Sequence, residues 1–115
     1  MSTLSTILAA VLGVAFLGAG ASKLAGQASF AANFERWGYH PSVLTVTGAL
    51  ELLTGALLLT GIAVTPLAIT GVLLVLAVMT GALLTHAKAK DPLAAWLPAI
   101  VLLVLAIVLV VSLAP

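Results

Sequence analysis

The chain has 115 residues, of which 63% are hydrophobic and 6% are charged, whereas charged residues make up about 25% of a typical soluble domain. This composition excludes a soluble globular protein, and a formal net charge of +1 excludes the basic surface that nucleic-acid binding requires. The sequence has no cysteine, which excludes thiol redox chemistry and Cys-ligated zinc or iron–sulfur sites. We therefore predict an integral membrane protein that lies in the lipid bilayer and binds no nucleic acid.

Four stretches are long and apolar enough to cross a bilayer. About 20 helical residues, at a rise of ~1.5 Å each, cover a hydrocarbon core of ~30 Å. The predicted spans are residues 4–24, 43–61, 66–86 and 93–113. No Lys or Arg precedes the first span, so we expect no signal-peptide cleavage. We predict a single membrane domain over residues 1–115 with an all-α fold, a transmembrane four-helix bundle.

The segment between the first two spans is the longest polar one, and aromatic residues recur in it at helical spacing. Phe30, Phe34 and Trp37 follow one another at steps of four and three residues, which places them on one face of a helix. Such a face favours a short interfacial helix that lies on the membrane or over the mouth of the bundle. We predict that these three side chains form a lid.

All four basic residues lie near the same end of the predicted spans. They are Lys23, Arg36, Lys88 and Lys90. By the positive-inside rule, the connections at residues 26–42 and 87–92 face the cytoplasm, and with four spans both termini lie outside.

Glu51 places a carboxylate within the second apolar span. An ionised group in the hydrocarbon costs about 3 kcal/mol or more, so such residues usually face the bundle interior and have a partner. Lys23 ends the first span and His86 ends the third, and both approach from the same membrane face, where the long lysine stem bridges part of the depth. We predict that Lys23, Glu51 and His86 converge as a ligand-binding or proton-relay site.

Two features favour a cleft at this cluster, between the first three spans. Gly20, Gly48 and Gly55 leave the backbone accessible, and the aromatic lid covers the opening. The alternative is structural: the three side chains only hold their helices together, or Glu51 lacks a cation and becomes neutral. We expect no metal site, because one histidine and one glutamate fall short of three or four ligands.

Four stretches at these positions resemble the DoxX-like family of small four-helix membrane proteins. They are Phe16–Leu24, Phe34–Pro41, Glu51–Gly55 and Met79–His86. Their order and spacing cover three of the four spans, and Lys23, Glu51 and His86 fall on the family's polar signature. The sequence departs from the family at Ala9 and Thr65, where many members carry a basic residue.

The resemblance implies a function in membrane redox chemistry. Some relatives are similar to the membrane subunit of a thiosulfate:quinone oxidoreductase, and others act in redox complexes or in their assembly. It therefore implies an accessory or quinone-binding subunit in a bacterial plasma membrane, with other redox-complex subunits or a second copy as partners. We expect no covalently bound cofactor and no enzyme activity of the chain by itself. A small proton-coupled transporter and a purely structural or assembly subunit are the alternatives.

Overall fold

Five α-helices and no strand make up the computed structural model, which describes all residues from Met1 to Pro115. The helices are α1 (Thr3–Leu24), α2 (Ala28–Arg36), α3 (Pro41–Thr60), α4 (Thr65–Ala89) and α5 (Leu93–Leu113). All of them except the short α2 are long and apolar enough to cross a membrane. The predicted fold class, an all-α bundle of four spans with a short helix between the first two, is confirmed.

The helix ends follow the local sequence. The Ser2 hydroxyl accepts a hydrogen bond from the Ser5 amide (3.1 Å) and caps α1. Pro41 occupies the first turn of α3, where its fixed φ and missing N–H cost nothing. Lys90 ends α4 in the left-handed conformation, with φ of 55°.

The second charged connection is shorter than the predicted 87–92. The helix α4 continues to Ala89, which leaves only residues 90–92 between α4 and α5. Lysine and alanine are good helix formers, and a basic residue in the last turn is stabilised by the helix dipole. Lys88 therefore belongs to the end of α4.

The four long helices pack as a ring. The helix α1 lies against α3 and α5, and α4 completes the ring between α3 and α5, so that α1 and α4 are diagonally opposite. The second and third spans, α3 and α4, are neighbours in this ring. The longest dimension of the molecule is 42 Å, close to the ~40–45 Å of a bilayer with its headgroups. The core side chains come from all four long helices and include Leu12, Phe16, Leu58, Val72, Val75 and Leu109.

Glycines bring the backbones of α1 and α3 into contact. A Cβ atom built on Gly20 would lie 2.6 Å from the Gly48 carbonyl oxygen, and one built on Gly55 would lie 2.7 Å from the Gly13 carbonyl oxygen. Small residues allow such close packing between membrane helices. The expectation that Gly20, Gly48 and Gly55 leave backbone accessible to a ligand is therefore wrong, because the partner helix fills this space. We call Gly13, Gly20, Gly48 and Gly55 the glycine seam.

Large apolar side chains cover the outside of the ring. Val14 on α1, Leu84 on α4 and Val111 on α5 are each more than three-fifths exposed. In water such a surface would aggregate, whereas lipid chains solvate it without cost. The outer surface is thus that of an integral membrane protein.

Candidate functional site

Lys23 and Glu51 form an ion pair between α1 and α3. The Lys23 Nζ atom lies 2.7 Å from Glu51 Oε1, and the two side chains are 10% and 4% exposed. Both sit beside the glycine seam, since a Cβ on Gly48 would lie 3.0 Å from Lys23 Cβ. The close approach of the two backbones therefore allows a lysine near the end of one helix to reach a carboxylate inside the other. This part of the predicted cluster is present.

The hydrogen bonding of this carboxylate is incomplete. Glu51 Oε1 is buried and has no hydrogen-bond partner, although Lys23 Nζ lies within ion-pair distance. The ammonium compensates the charge of the carboxylate, and no backbone amide or hydroxyl group of the chain donates to this oxygen. Glu51 Oε1 thus has a charge partner but retains a free acceptor position.

Phe30 covers the lysine. Its ring centroid lies 4.1 Å from Lys23 Nζ, within the range of a cation–π interaction. Phe30 belongs to α2, so the short helix closes the ion pair from above. The predicted position of Phe30 over the cluster agrees with this contact.

His86 does not join the pair. Its Nδ1 atom lies 2.8 Å from Asp91 Oδ2, and its helix, α4, is diagonally opposite the helix that carries Lys23. The predicted convergence of three side chains is therefore only partly realised. Lys23 and Glu51 meet, whereas His86 belongs to a second polar cluster.

Asp91 is the centre of this second cluster. Its carboxylate accepts hydrogen bonds from Arg36 Nη1 at 2.7 Å and from Trp37 Nε1 at 3.2 Å, in addition to the contact with His86. The Asp91 backbone oxygen accepts a hydrogen bond from Trp96 Nε1 at 3.0 Å. The side chain is only 4% exposed. We call Asp91 together with Arg36, Trp37 and His86 the Asp91 cluster.

Hydrogen bonds keep Asp91 ionised. The Arg36 guanidinium, and after it His86, hold the pKa of Asp91 well below its usual range, and Asp91 in turn raises the pKa of Arg36. Sequence reasoning did not find Asp91. The available signal was that Asp91 is one of three acidic residues in the chain and lies at the same membrane face as Arg36 and Trp37.

Aromatic rings surround the Asp91 cluster. The Trp37 ring lies 5.2 Å from that of Phe34 and 6.2 Å from that of Tyr39, and it meets the His86 ring edge-on at 5.4 Å. Trp96 stacks on the His86 ring at 6.3 Å. Of the predicted lid residues, Phe30 therefore covers the ion pair, while Phe34 and Trp37 fix the other end of α2 to the Asp91 cluster.

Two shallow cavities flank Tyr39. One, of about 270 Å³, is lined by Arg36, Trp37, Tyr39, Thr85, Lys88 and Ala89. The other, of about 400 Å³, is lined by Ala31, Phe34, Glu35, Tyr39, Pro41 and Leu44. Neither includes Lys23, Glu51 or His86 in its lining.

The sequence model of the DoxX-like family matches residues 7–109, which is nearly the whole chain. The chain belongs to the DoxX-like family. No curated protein and no solved structure matches it. The DoxX-like region includes both the Lys23–Glu51 pair and the Asp91 cluster, and with the four apolar spans it identifies a DoxX-like integral membrane protein.

Proposed function

We propose that this DoxX-like protein is an accessory subunit of a membrane redox assembly that binds a quinone headgroup at the Lys23–Glu51 pair. The observation that carries the proposal is the buried ion pair itself: Glu51 Oε1 contacts the Lys23 ammonium at 2.7 Å, and no other donor of the chain reaches this oxygen. Buried ion pairs contribute little to stability compared with apolar packing. A ligand that completes the hydrogen bonding gives this pair a function.

A quinone and its reduced form suit both members of the pair. The hydroxyl of a quinol would donate a hydrogen bond to Glu51 Oε1, and the carbonyl oxygen of a quinone would accept one from Lys23 Nζ. The Phe30 ring now occupies one side of the ammonium, and a carbonyl oxygen can replace this weak contact. The apolar tail would lie along the hydrophobic outer surface of α1 and α3.

The proposal assigns the chain a binding role. Lys23 and Glu51 would orient the headgroup, Phe30 would exclude water from it, and the carboxylate would be the nearest group able to accept a proton. Electron transfer would use a carrier in a partner subunit. Partners in the same membrane, or a second copy of this chain, therefore belong to the proposal.

The proposed location is the plasma membrane of a bacterium, with α2 and the α4–α5 connection at the cytoplasmic face. The four basic residues support this orientation, because Lys and Arg are enriched in cytoplasmic connections. Both polar clusters would then open towards the cytoplasm.

Quinone that co-purifies with the protein tests the function. We would purify the wild type from its native membrane in mild detergent and quantify extracted quinone by mass spectrometry, with Glu51→Ala and Phe30→Ala as variants. Glu35→Ala is the matched control, because Glu35 is an exposed glutamate on α2. A hydrogen bond to a charged group contributes about 1.5–3 kcal/mol, so Glu51→Ala should lower the quinone content about tenfold or more.

Two results would reject this function. One is a wild-type quinone content no higher than that of an unrelated four-helix membrane protein. The other is an equal content in Glu51→Ala and Glu35→Ala. The ion pair would then only hold α1 and α3 together.

A further inference from the structure

The smaller of the two cavities lies between the end of α2 and the last turn of α4. Its volume is about 270 Å³, and its lining includes the cationic side chains of Arg36 and Lys88 beside the rings of Trp37 and Tyr39. It is separate from the Lys23–Glu51 pair, and nothing in the proposed quinone site uses it. We call it the basic cavity.

Positive charge is in excess in the basic cavity. Lys88 is exposed and takes part in none of the ion pairs of the chain, which are Lys23–Glu51, Arg36–Asp91 and His86–Asp91. Arg36 is half-exposed and directs both Nη1 and Nη2 to Asp91, at 2.7 and 3.5 Å, but a guanidinium has five N–H donors, of which three remain. Asp91 itself does not line the cavity. Both cations line the cavity and retain donors for a ligand.

The hydroxyl groups of the cavity are already paired with each other. Thr85 Oγ1 donates to the Gly81 carbonyl oxygen at 2.9 Å, so in its contact with Tyr39 Oη at 2.6 Å it is the phenol that donates. Each hydroxyl has only one proton to give. A ligand in the cavity thus finds donors only on Arg36 and Lys88. Arginine and lysine are the side chains that typically bind a phosphate group, which accepts their hydrogen bonds.

The position of the basic cavity indicates which kind of molecule carries the phosphate group. Trp37, Tyr39 and Trp96 lie together at one end of the bundle, as the aromatic belt at a membrane–water interface does, and the apolar surfaces of the spans begin immediately below. We infer that the basic cavity binds the phosphate headgroup of an anionic phospholipid. The acyl chains would run down the outside of α4, where Leu84 and Leu73 are exposed.

Lys88→Gln against Lys90→Gln is the matched comparison. Both lysines are exposed and lie two residues apart, but only Lys88 lines the cavity. We would reconstitute each protein into nanodiscs of phosphatidylcholine with and without phosphatidylglycerol, and count retained lipids by native mass spectrometry. A basic residue near an anionic headgroup contributes about a fivefold preference. The preference for phosphatidylglycerol should fall about fivefold in Lys88→Gln, and Lys90→Gln should keep the wild-type preference.

Two results would overturn the inference. Equal loss in the two variants would show only general attraction between basic residues and anionic lipid. Equal thermal stabilisation of the detergent-solubilised wild type by soluble glycerol phosphate and by phosphatidylglycerol, at the same concentration, would show a site for phosphate without a lipid. A lipid preference that is reduced in Lys88→Gln and kept in Lys90→Gln would support it.

Discussion

At the scale of single residues, the Lys23–Glu51 pair explains how an acidic group is accommodated inside an apolar helix. The carboxylate is compensated by an ammonium at 2.7 Å, and the lysine stem provides the reach from the end of α1. The two partners are not equivalent. Lys23 can turn its ammonium towards the headgroups if it loses its partner, whereas Glu51 has no comparable route to water.

Lys23→Ala should therefore destabilise the protein more than Glu51→Gln. Loss of the lysine leaves a buried charge without a partner, at a cost of about 3–5 kcal/mol unless the carboxylate takes up a proton. Glutamine keeps the shape and the acceptor oxygen. Thermal unfolding in detergent measures the stability of both variants, with Glu35→Gln as the exposed control. Equal midpoints for Lys23→Ala and Glu51→Gln would contradict the pairing.

Sequence reasoning found this pair but not the partner of His86, and the difference is physical. A carboxylate in a span demands a cation, and only a few cations are within reach. The assignment of His86 depends on which helices are neighbours in the ring, and spans that are apolar all round do not encode this in their periodicity. Asp91 was missed because a carboxylate in a connection is normally solvated, and here α2 covers it.

At the scale of elements, α2 is attached at both ends. Phe30, near the start of α2, contacts Lys23. Arg36, at the end of α2, donates a hydrogen bond to Asp91. Because the pKa of Asp91 is depressed, the contribution of its charge to the stability of the folded protein is fully present above the ordinary pKa of about 3.9. This contribution is lost only as the pH falls further. Moderate acidification to about pH 5 leaves Asp91 charged, so a substitution is the better test of this attachment.

Asp91→Asn should release the end of α2. The amide removes the negative charge that Arg36 pairs with and leaves the half-exposed arginine with weaker hydrogen bonding. Cleavage by trypsin after Arg36 should become several times faster, because proteolysis requires local unfolding. Lys90→Gln removes a charge from the same connection and should leave this rate unchanged. Wild-type cleavage kinetics in Asp91→Asn would show that the aromatic contacts alone hold α2.

The α1–α3 interface offers a second test at this scale. Gly20 has the backbone of α3 within 2.6 Å of its built Cβ, whereas Gly18, two residues earlier, has nothing within 4 Å. Gly20→Ala should cost about 1–3 kcal/mol, because overpacking forces the helices apart. Gly18→Ala should be neutral or slightly stabilising, since alanine is the better helix former. Equal unfolding midpoints in detergent would contradict the glycine seam.

At the scale of the whole molecule, polar groups are distributed unequally between the two ends of the bundle. One end carries every basic side chain, the Asp91 cluster and the indole rings. The other carries the two termini, and there the hydroxyls of Ser5 on α1 and Ser112 on α5 form a hydrogen bond of 2.8 Å. This asymmetry is what the positive-inside rule uses to orient a bundle.

We expect the end with the basic residues to face the cytoplasm. The chain has no cysteine, so single cysteines can be introduced at the exposed positions Ser29, Ala89, Thr3 and Ala114. An impermeant thiol reagent applied to intact cells should label only the last two. Labelling at Ser29 or Ala89 before lysis would show that the protein has the opposite orientation.

The contact between α1 and α3 also sets an order for biogenesis. Both helices leave the ribosome before α4 and α5 do, so the nascent chain already carries the cation that Glu51 needs when α3 enters the translocon. A chain that stops after Val64 should therefore insert α3 across the membrane, and Lys23→Gln should lower the inserted fraction in a glycosylation-mapping assay. An unchanged fraction would show that α3 inserts on its apolar residues alone. A lower fraction in Lys23→Gln would show that α1 and α3 enter the bilayer as one unit, to which the later helices are added.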